Sequence, residues 1–241
     1  RFLLTFWRNC NILRHIKRNG KNGGIVLAIG DIIVGIDIGT SKVSTVVGEV
    51  NNFKQIEIIC NTCCRCNGMA KGQIIDGDAI SIAISKTIRE AEEIANFKIS
   101  SAYITIPGKY TTIVQNSVVK ETKDRFDGIS YKDVVSALSS VKEIEMPEDE
   151  VLIDIIPDKF ILEDGKTVED PVGSYCSSFT LMAQLILADK DYIKKITNIC
   201  RRAGIEIDGI VPITLAERNL VLDGSEMNDN VMILDIGAGN T

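Results

Sequence analysis

The sequence predicts an α/β fold that is interrupted by a smaller α+β module, and three patterns indicate this fold class. β-Branched apolar runs alternate with amphipathic helical periods before residue 108 and again after residue 186. Between these positions the pattern changes to a strand, a helix and two further strands. A strand that ends in an aspartate and a glycine turn occurs near both ends of the chain. Such a long-period repeat predicts a duplicated α/β fold whose halves face one cleft.

The first α/β segment begins with a predicted β-hairpin. Two apolar strands at 32–38 and 43–50 are joined by a short turn that contains Gly39. A third strand is predicted at 56–60. The glycine-rich loop after it is expected to hold little regular structure.

A helix and a strand complete this segment. Asp78 is predicted to cap the helix, in which apolar residues recur every three or four positions. The strand at 102–106 ends where Pro107 and Gly108 interrupt it. One face of the helix is therefore expected to pack on the sheet.

The module between these segments is predicted to contain a strand at 113–119, a helix at 131–144 and strands at 151–162 and 179–187. Its extended segments are amphipathic, which indicates a sheet with one open face. Three acidic residues precede or begin the helix, and we expect them to be solvated or to cap it rather than to act in catalysis: Asp124, Asp127 and Asp133.

The α/β pattern then resumes. Asp189 is predicted to cap a helix that ends at Gly204. A strand at 205–211 and a helix at 214–222 follow. A final apolar strand at 231–235 leads into the second glycine turn.

Composition and charge exclude some classes of partner. The chain has 241 residues, 45% of them hydrophobic, and a formal net charge of −6. Its first 30 residues carry six Lys or Arg and no acid, which leaves 21 basic and 33 acidic residues, a formal charge of −12, in the remainder. We therefore expect no nucleic-acid partner for the main body. The basic leader is predicted to be an upstream extension or a disordered arm, with a membrane-surface arm as the alternative.

Seven cysteines raise the question of a metal site or disulfides. Cys60, Cys63, Cys64 and Cys66 lie close together in two overlapping C-x-x-C spacings. No second pair of ligands stands at a finger-like distance, and the number of cysteines is odd. Reduced thiols are the expected state.

The repeated turns carry the predicted chemistry. GIDIGTS at 35–41 and ILDIGAG at 233–239 each bring an aspartate to the end of an apolar strand before a flexible turn. Glycine lets backbone N–H groups approach phosphate oxygens, and an aspartate there can hold Mg²⁺ through water. Neither a Walker pattern nor a G-x-G-x-x-G follows a strand. The candidate phosphate-binding residues are Asp37, Gly39, Thr40, Ser41, Lys42, Asp235, Gly237 and Gly239, with Asp37 and Asp235 as the magnesium candidates.

This doubled turn resembles the phosphate-1 and phosphate-2 motifs of the superfamily of actin, Hsp70 and the sugar kinases. A closer resemblance is to the FtsA family of bacterial cell-division proteins. It rests on VGIDIGTSKV followed by VGEV, on GMAKGQIIDGDAI and on ISSAYITIPGKY, and it extends from about residue 31 to residue 241.

The resemblance implies an actin-like, ribonuclease H-like fold with the following organisation. Residues 31–107 form the first part of subdomain 1A, after the leader at 1–30, and 108–186 form the inserted SHS2 module, subdomain 1C. Residues 187–230 complete 1A with a connector helix, and 231–241 begin subdomain 2A. The adenosine pocket, the FtsZ-binding subdomain and a membrane-binding helix are expected in sequence beyond residue 241.

The resemblance also implies a function. ATP and Mg²⁺ are the expected cofactors. Self-association into filaments, binding of FtsZ and of other divisome proteins, and a peripheral position on the cytoplasmic face of the membrane at the septum are expected of the full-length protein.

One departure from the family pattern bears on ATP turnover. Ile213 stands where many relatives place a glutamate, and Glu217 is nearby but out of register. Hydrolysis requires a group that orients water, so we expect nucleotide binding with weak or absent ATPase activity and assign no catalytic residue. The alternatives are a PilM-like protein of type IV pilus assembly, a sugar or small-molecule kinase, and a structural module that binds no nucleotide.

Overall fold

A computed structural model describes residues 28–53, 55–122, 128–222 and 231–239. The described residues form two compact units. The first comprises 28–110 and the part after residue 190, and the second comprises the described part of 111–190. Most of the basic leader therefore lies outside the described residues.

The first unit is built on a five-stranded sheet. β1 (Ile32–Ile38), β2 (Lys42–Val50) and β3 (Ile56–Arg65) form an antiparallel meander. β6 (Ser101–Ile106) pairs parallel to β1, and β11 (Glu206–Pro212) pairs parallel to β6. The resulting order, β11-β6-β1-β2-β3, agrees with the ribonuclease H-like fold that the family resemblance implies.

Helix α1 (Gly77–Ala95) packs its apolar face on β2 and β3. Buried threonines link these elements. The hydroxyls of Thr45 and Thr87 lie 2.8 Å apart, and Thr62 Oγ1 donates to the Thr87 carbonyl at 2.8 Å. These bonds satisfy polar groups that would otherwise be costly in the interior.

The predicted cap of this helix is wrong by two residues. The N-cap is Asp76, whose side chain accepts hydrogen bonds from Asp78 N and Ala79 N at 2.9 and 3.0 Å. Asp76 is extended, as a cap must be, whereas Asp78 already lies in the first turn. There Asp78 pairs with Arg202 at 2.5 Å.

The loop before this helix is also more regular than expected. It contains a short hairpin of β4 (Met69–Ala70) and β5 (Gln73–Ile74). Its two turn residues have positive φ, 48° at Lys71 and 66° at Gly72. Two such residues suit the tight turn that matches the twist of paired strands.

The second unit is a four-stranded antiparallel sheet in the order β7-β10-β8-β9. Helix α2 (Tyr131–Ser140) contributes Val134 and Ala137 to a core with Phe160, Phe179 and Leu181. The predicted strand, helix and two strands are thus confirmed, although α2 is shorter than expected and a fourth strand is present. The strands are β7 (Thr111–Glu121), β8 (Glu150–Leu162), β9 (Thr167–Val168) and β10 (Ser178–Asp189).

Asp133 takes part in capping α2, as predicted, although the N-cap itself is Ser130. Ser130 and Asp133 form a capping box in which each side chain bonds to the other residue's backbone N–H. Asp124 and Asp127 lie outside the described residues.

After the second unit, α3 (Lys190–Arg202) ends near Gly204, whose φ is +82°. β11 follows, and α4 (Ile213–Val221) begins directly after it. The predicted strand at 231–235 is wrong, because these residues adopt no regular structure. A strand requires a hydrogen-bonded neighbour, and none of the described strands pairs with this segment. Within the described residues, no helix is long and apolar enough to cross a membrane.

Candidate functional site

Asp37 lies near the carboxyl end of β1, where the parallel strand β6 places Thr105 beside it. Thr105 Oγ1 donates to Asp37 Oδ1 at 2.6 Å. Burial raises the pKa of Asp37, the Thr105 hydrogen bond and the Lys42 ammonium partly oppose this rise, and the charge of Asp235 adds to it. Asp37 is thus a desolvated carboxyl group that a hydrogen bond holds in one orientation, at the carboxyl end of the central strand.

The turn after Asp37 is tight. Gly39 N donates to the Lys42 carbonyl at 3.0 Å, and a Cβ on Gly39 would lie 3.1 Å from that oxygen. The Ser41 carbonyl accepts from Cys66 N at 3.0 Å, which ties the turn to the loop after β3. Ser41 and Lys42 are exposed, so their side chains are accessible to a ligand.

The second glycine turn lies directly against the first. A Cβ on Gly239 would come within 2.6 Å of Thr40 Oγ1, 2.7 Å of Thr40 Cγ2 and 3.0 Å of Lys71 N. Gly72 N donates to Thr40 Oγ1 at 3.4 Å. Only a residue without a side chain fits at position 239 while the two turns keep this distance. Gly237, in the same segment, is exposed.

A third carboxyl group, that of Glu217, interacts with Asp235 and Asp37. Glu217 projects from α4, its side chain is buried at 6% exposure, and it hydrogen-bonds to Asp235. Burial, this hydrogen bond and the charges of Asp235 and Asp37 raise the pKa of Glu217 from 4.5 to about 7. Three carboxyl groups thus share one location.

The sequence contained a signal for Glu217 that the prediction underused. Glu217 lies four residues after Ile213, and residues four apart in a helix share a face. Glu217 therefore lies on the same face of α4 as Ile213, one helical turn further along. Thr105, in contrast, is recognisable only once β6 is known to lie beside β1.

A cation lies close to the point where the turns meet. Lys109 Nζ donates to the Lys71 carbonyl at 2.5 Å and lies 5.0 Å from the centre of the Tyr110 ring. Lys71 N is one of the groups that face Gly239. A positive charge here complements the negative charge of a phosphate chain.

Three of the four clustered cysteines form hydrogen bonds with nearby backbone groups. Cys60 and Cys64 donate to the Ala91 and Ala83 carbonyls of α1 at 3.8 and 3.5 Å. Cys66 Sγ accepts from Gly68 N at 3.4 Å, and Cys63 is exposed. Across the described part of the chain, no group of three or more His, Cys, Asp or Glu side chains is arranged to hold a metal ion directly.

Comparison with known proteins bears on the family and the fold of the chain. Residues 108–187 match the family model described as the SHS2 domain inserted in FtsA. Proteins named cell division protein FtsA match most of the chain: 27% identity over 86% of it with that of Escherichia coli K12, and 28% over 88% with that of Bacillus subtilis 168. The chain is thus similar to FtsA proteins over most of its length.

The chain spans about half the length of the curated relatives it matches, 49% of the Escherichia coli protein and 48% of the Bacillus subtilis protein. The predicted fold class, an actin-like α/β unit with an inserted SHS2 module, is confirmed by the sheet order and the domain match.

Two solved structures also show similarity. The PilM–PilN type IV pilus biogenesis complex has 14% identity and a TM-score of 0.47, covering 75% of this chain and 47% of the other. The ethanolamine utilization protein EutJ from Carboxydothermus hydrogenoformans has 15% identity and a TM-score of 0.28, covering 42% of this chain and 35% of the other.

Proposed function

We propose that this chain supplies the phosphate- and magnesium-binding part of an actin-like cell-division protein. The observation that carries the proposal is the contact between Gly239 and Thr40, which places two glycine turns together beside the Asp37 carboxyl. Two turns that meet in this way can direct backbone N–H groups at one polyphosphate from two sides.

The side chains have distinct roles in this proposal. Thr40 and Ser41 donate hydroxyl hydrogen bonds to phosphate oxygens, and Lys42 supplies countercharge. Asp37 and Asp235 would hold a Mg²⁺ ion through its water molecules. The ion, when bound, neutralises phosphate charge and relieves repulsion among the carboxyl groups. Mg²⁺ keeps several of its waters and is usually held by one or two carboxylates together with phosphate oxygens, which fits these two aspartates.

Slow turnover of ATP follows from the same arrangement. Ile213 cannot accept a proton, and Glu217 shares a hydrogen bond with Asp235. A carboxyl group engaged in this way is poorly placed to orient an attacking water molecule as a general base. We therefore propose nucleotide binding with weak or no hydrolysis.

Nucleotide affinity tests the site assignment. In the full-length protein, Asp37→Ala and Asp235→Ala should each weaken binding of Mg²⁺-ATP about tenfold or more, since contacts to charged groups contribute roughly 1.5–3 kcal/mol. Isothermal titration calorimetry measures the effect. Asp158→Ala, which removes an exposed aspartate from β8, is the matched control and should bind as the parent does. If both site variants also bind as the parent does, the assignment is wrong.

The role in division is proposed from the relatives and the inserted module. We propose that the full-length protein assembles into filaments, partly through the SHS2 module, and links FtsZ and other divisome proteins to the cytoplasmic face of the membrane at the septum. Support comes from the FtsA relatives and from the SHS2 match. Electron microscopy of the full-length protein on lipid vesicles with ATP and FtsZ should show filaments that recruit FtsZ. Vesicles that bind the protein but remain free of filaments and of FtsZ contradict this role.

A further inference from the structure

A basic pocket lies in the first unit, between the start of α1 and the last two turns of α3. Its volume is about 540 Å³. Three exposed cations line it, Lys195, Arg201 and Arg202, together with the Asn198 amide. None of these residues belongs to the proposed phosphate site.

Hydrogen bonds hold the two arginine side chains that line the pocket. Arg202 Nη1 donates to Asp78 Oδ1 at 2.5 Å, which anchors its guanidinium against α1. Gly77 permits this approach, because a Cβ there would lie 2.7 Å from Arg202 Nη2. Arg201 Nη1 donates to Asn198 Oδ1 at 3.1 Å. The guanidinium groups are thus positioned by neighbouring side chains.

The charge of the pocket contrasts with that of the whole chain. The chain has a formal net charge of −6, yet four of its basic residues lie on the exposed side of α3: Lys194, Lys195, Arg201 and Arg202. The helix dipole favours cations in the last turn and explains why Arg201 and Arg202 stabilise α3. It explains neither Lys195, which lies outside that turn, nor the concave surface beside α1.

The lining also has an apolar part. The half-buried Ile74 side chain contributes apolar surface to the pocket, and Ile199, which is 3% exposed, lies at its base. A ligand that matches both parts carries carboxylates for the guanidinium groups and at least one apolar side chain. Arginine binds carboxylates with two parallel hydrogen bonds, and apolar contact adds affinity.

We propose that this pocket binds an acidic peptide segment of a partner protein, in which Asp or Glu alternates with aliphatic residues. Such a segment fits a concave pocket with an apolar wall. Inorganic phosphate would leave the Ile74 side chain without a contact.

Nuclear magnetic resonance of the whole chain tests the proposal with an eight-residue peptide of alternating Asp and Leu. We expect shifts of the Gly77, Asn198 and Ile199 amides, and at least a tenfold loss of affinity when Lys195→Glu and Arg201→Glu are combined. The same peptide with Asn in place of Asp should not bind. Lys86→Glu combined with Arg89→Glu reverses two exposed cations on α1 outside the pocket and should leave binding unchanged.

Several outcomes overturn the proposal. These are no shifts with the acidic peptide, equal binding of the Asn peptide, and equal loss of affinity in the control variant. Stronger binding of inorganic phosphate or of single-stranded DNA to the same amides also overturns it. The amide spectrum of each variant reports whether it is folded, so a loss of binding can be separated from a loss of structure.

Discussion

Replacing Glu217 with glutamine should stabilise the protein, and the gain should be larger at pH 8 than at pH 5. The folded protein raises the pKa of Glu217 from 4.5 to about 7, chiefly because the side chain is buried. Below about pH 4.5 the group is protonated in the folded and the unfolded state alike, so its titration does not lower the free energy of unfolding. As the pH rises toward 7, the unfolded chain releases the proton more readily than the folded chain, and the stability falls.

The glutamine variant avoids this loss. Its amide is neutral at every pH and can still donate a hydrogen bond to Asp235, as the protonated carboxyl does. The side chain is 6% exposed, but Asp235 beside it is open to solvent, which screens part of the charge. The expected gain at pH 8 is therefore about 1–2 kcal/mol, less than the full shift in pKa implies.

Urea denaturation at pH 5, 6, 7 and 8 measures the gain. Glu206→Gln, which changes an exposed glutamate on β11 in the same unit, is the control and should show no such pH dependence. A Glu217→Gln variant that is equally stabilised at pH 5 and pH 8, or destabilised at pH 8, shows that the carboxyl is not buried beside Asp235 and Asp37.

The parts of the fold that the sequence predicted well are those with a local pattern. The β1–β2 hairpin follows from two apolar runs around Gly39, and α1 follows from its apolar spacing. The choice between Asp76 and Asp78 as cap depended on backbone conformation, which neither residue type determines. The strand predicted at 231–235 has the right residues, but a strand also depends on a neighbour that the segment itself does not encode.

The residues of the candidate site also differ in whether a local sequence pattern indicated them. Asp37, Thr40 and Gly239 were chosen as candidates because their motif occurs twice, and the repetition predicted two turns near each other. Thr105 has no motif, and its importance comes only from the parallel pairing of β6 with β1. Glu217 was seen in sequence, but its burial beside Asp235 depends on how α4 follows β11.

Replacing Gly239 with alanine should weaken nucleotide binding at least tenfold. The new Cβ would lie 2.6 Å from Thr40 Oγ1, 2.7 Å from Thr40 Cγ2 and 3.0 Å from Lys71 N. The two contacts to Thr40 force the turns apart, because both γ atoms of this β-branched side chain face the new methyl group and no rotamer removes them both, whereas the 3.0 Å distance to Lys71 N requires only a small shift. Donors that converge on one polyphosphate would then be separated, and a tenfold loss corresponds to about 1.4 kcal/mol.

A double-mutant cycle distinguishes this steric cause from a general loss of structure. Thr40→Ala removes both side-chain atoms that face the new methyl group, and by itself it weakens binding through the lost hydroxyl. With Thr40→Ala already present, Gly239→Ala should cost much less than it does in the parent, so the two losses should not add. Calorimetric titration of all four proteins with Mg²⁺-ATP gives the coupling. Additive losses would mean that the two turns do not meet at Thr40 and Gly239 when the nucleotide is bound, and the divided phosphate site proposed here would then be wrong.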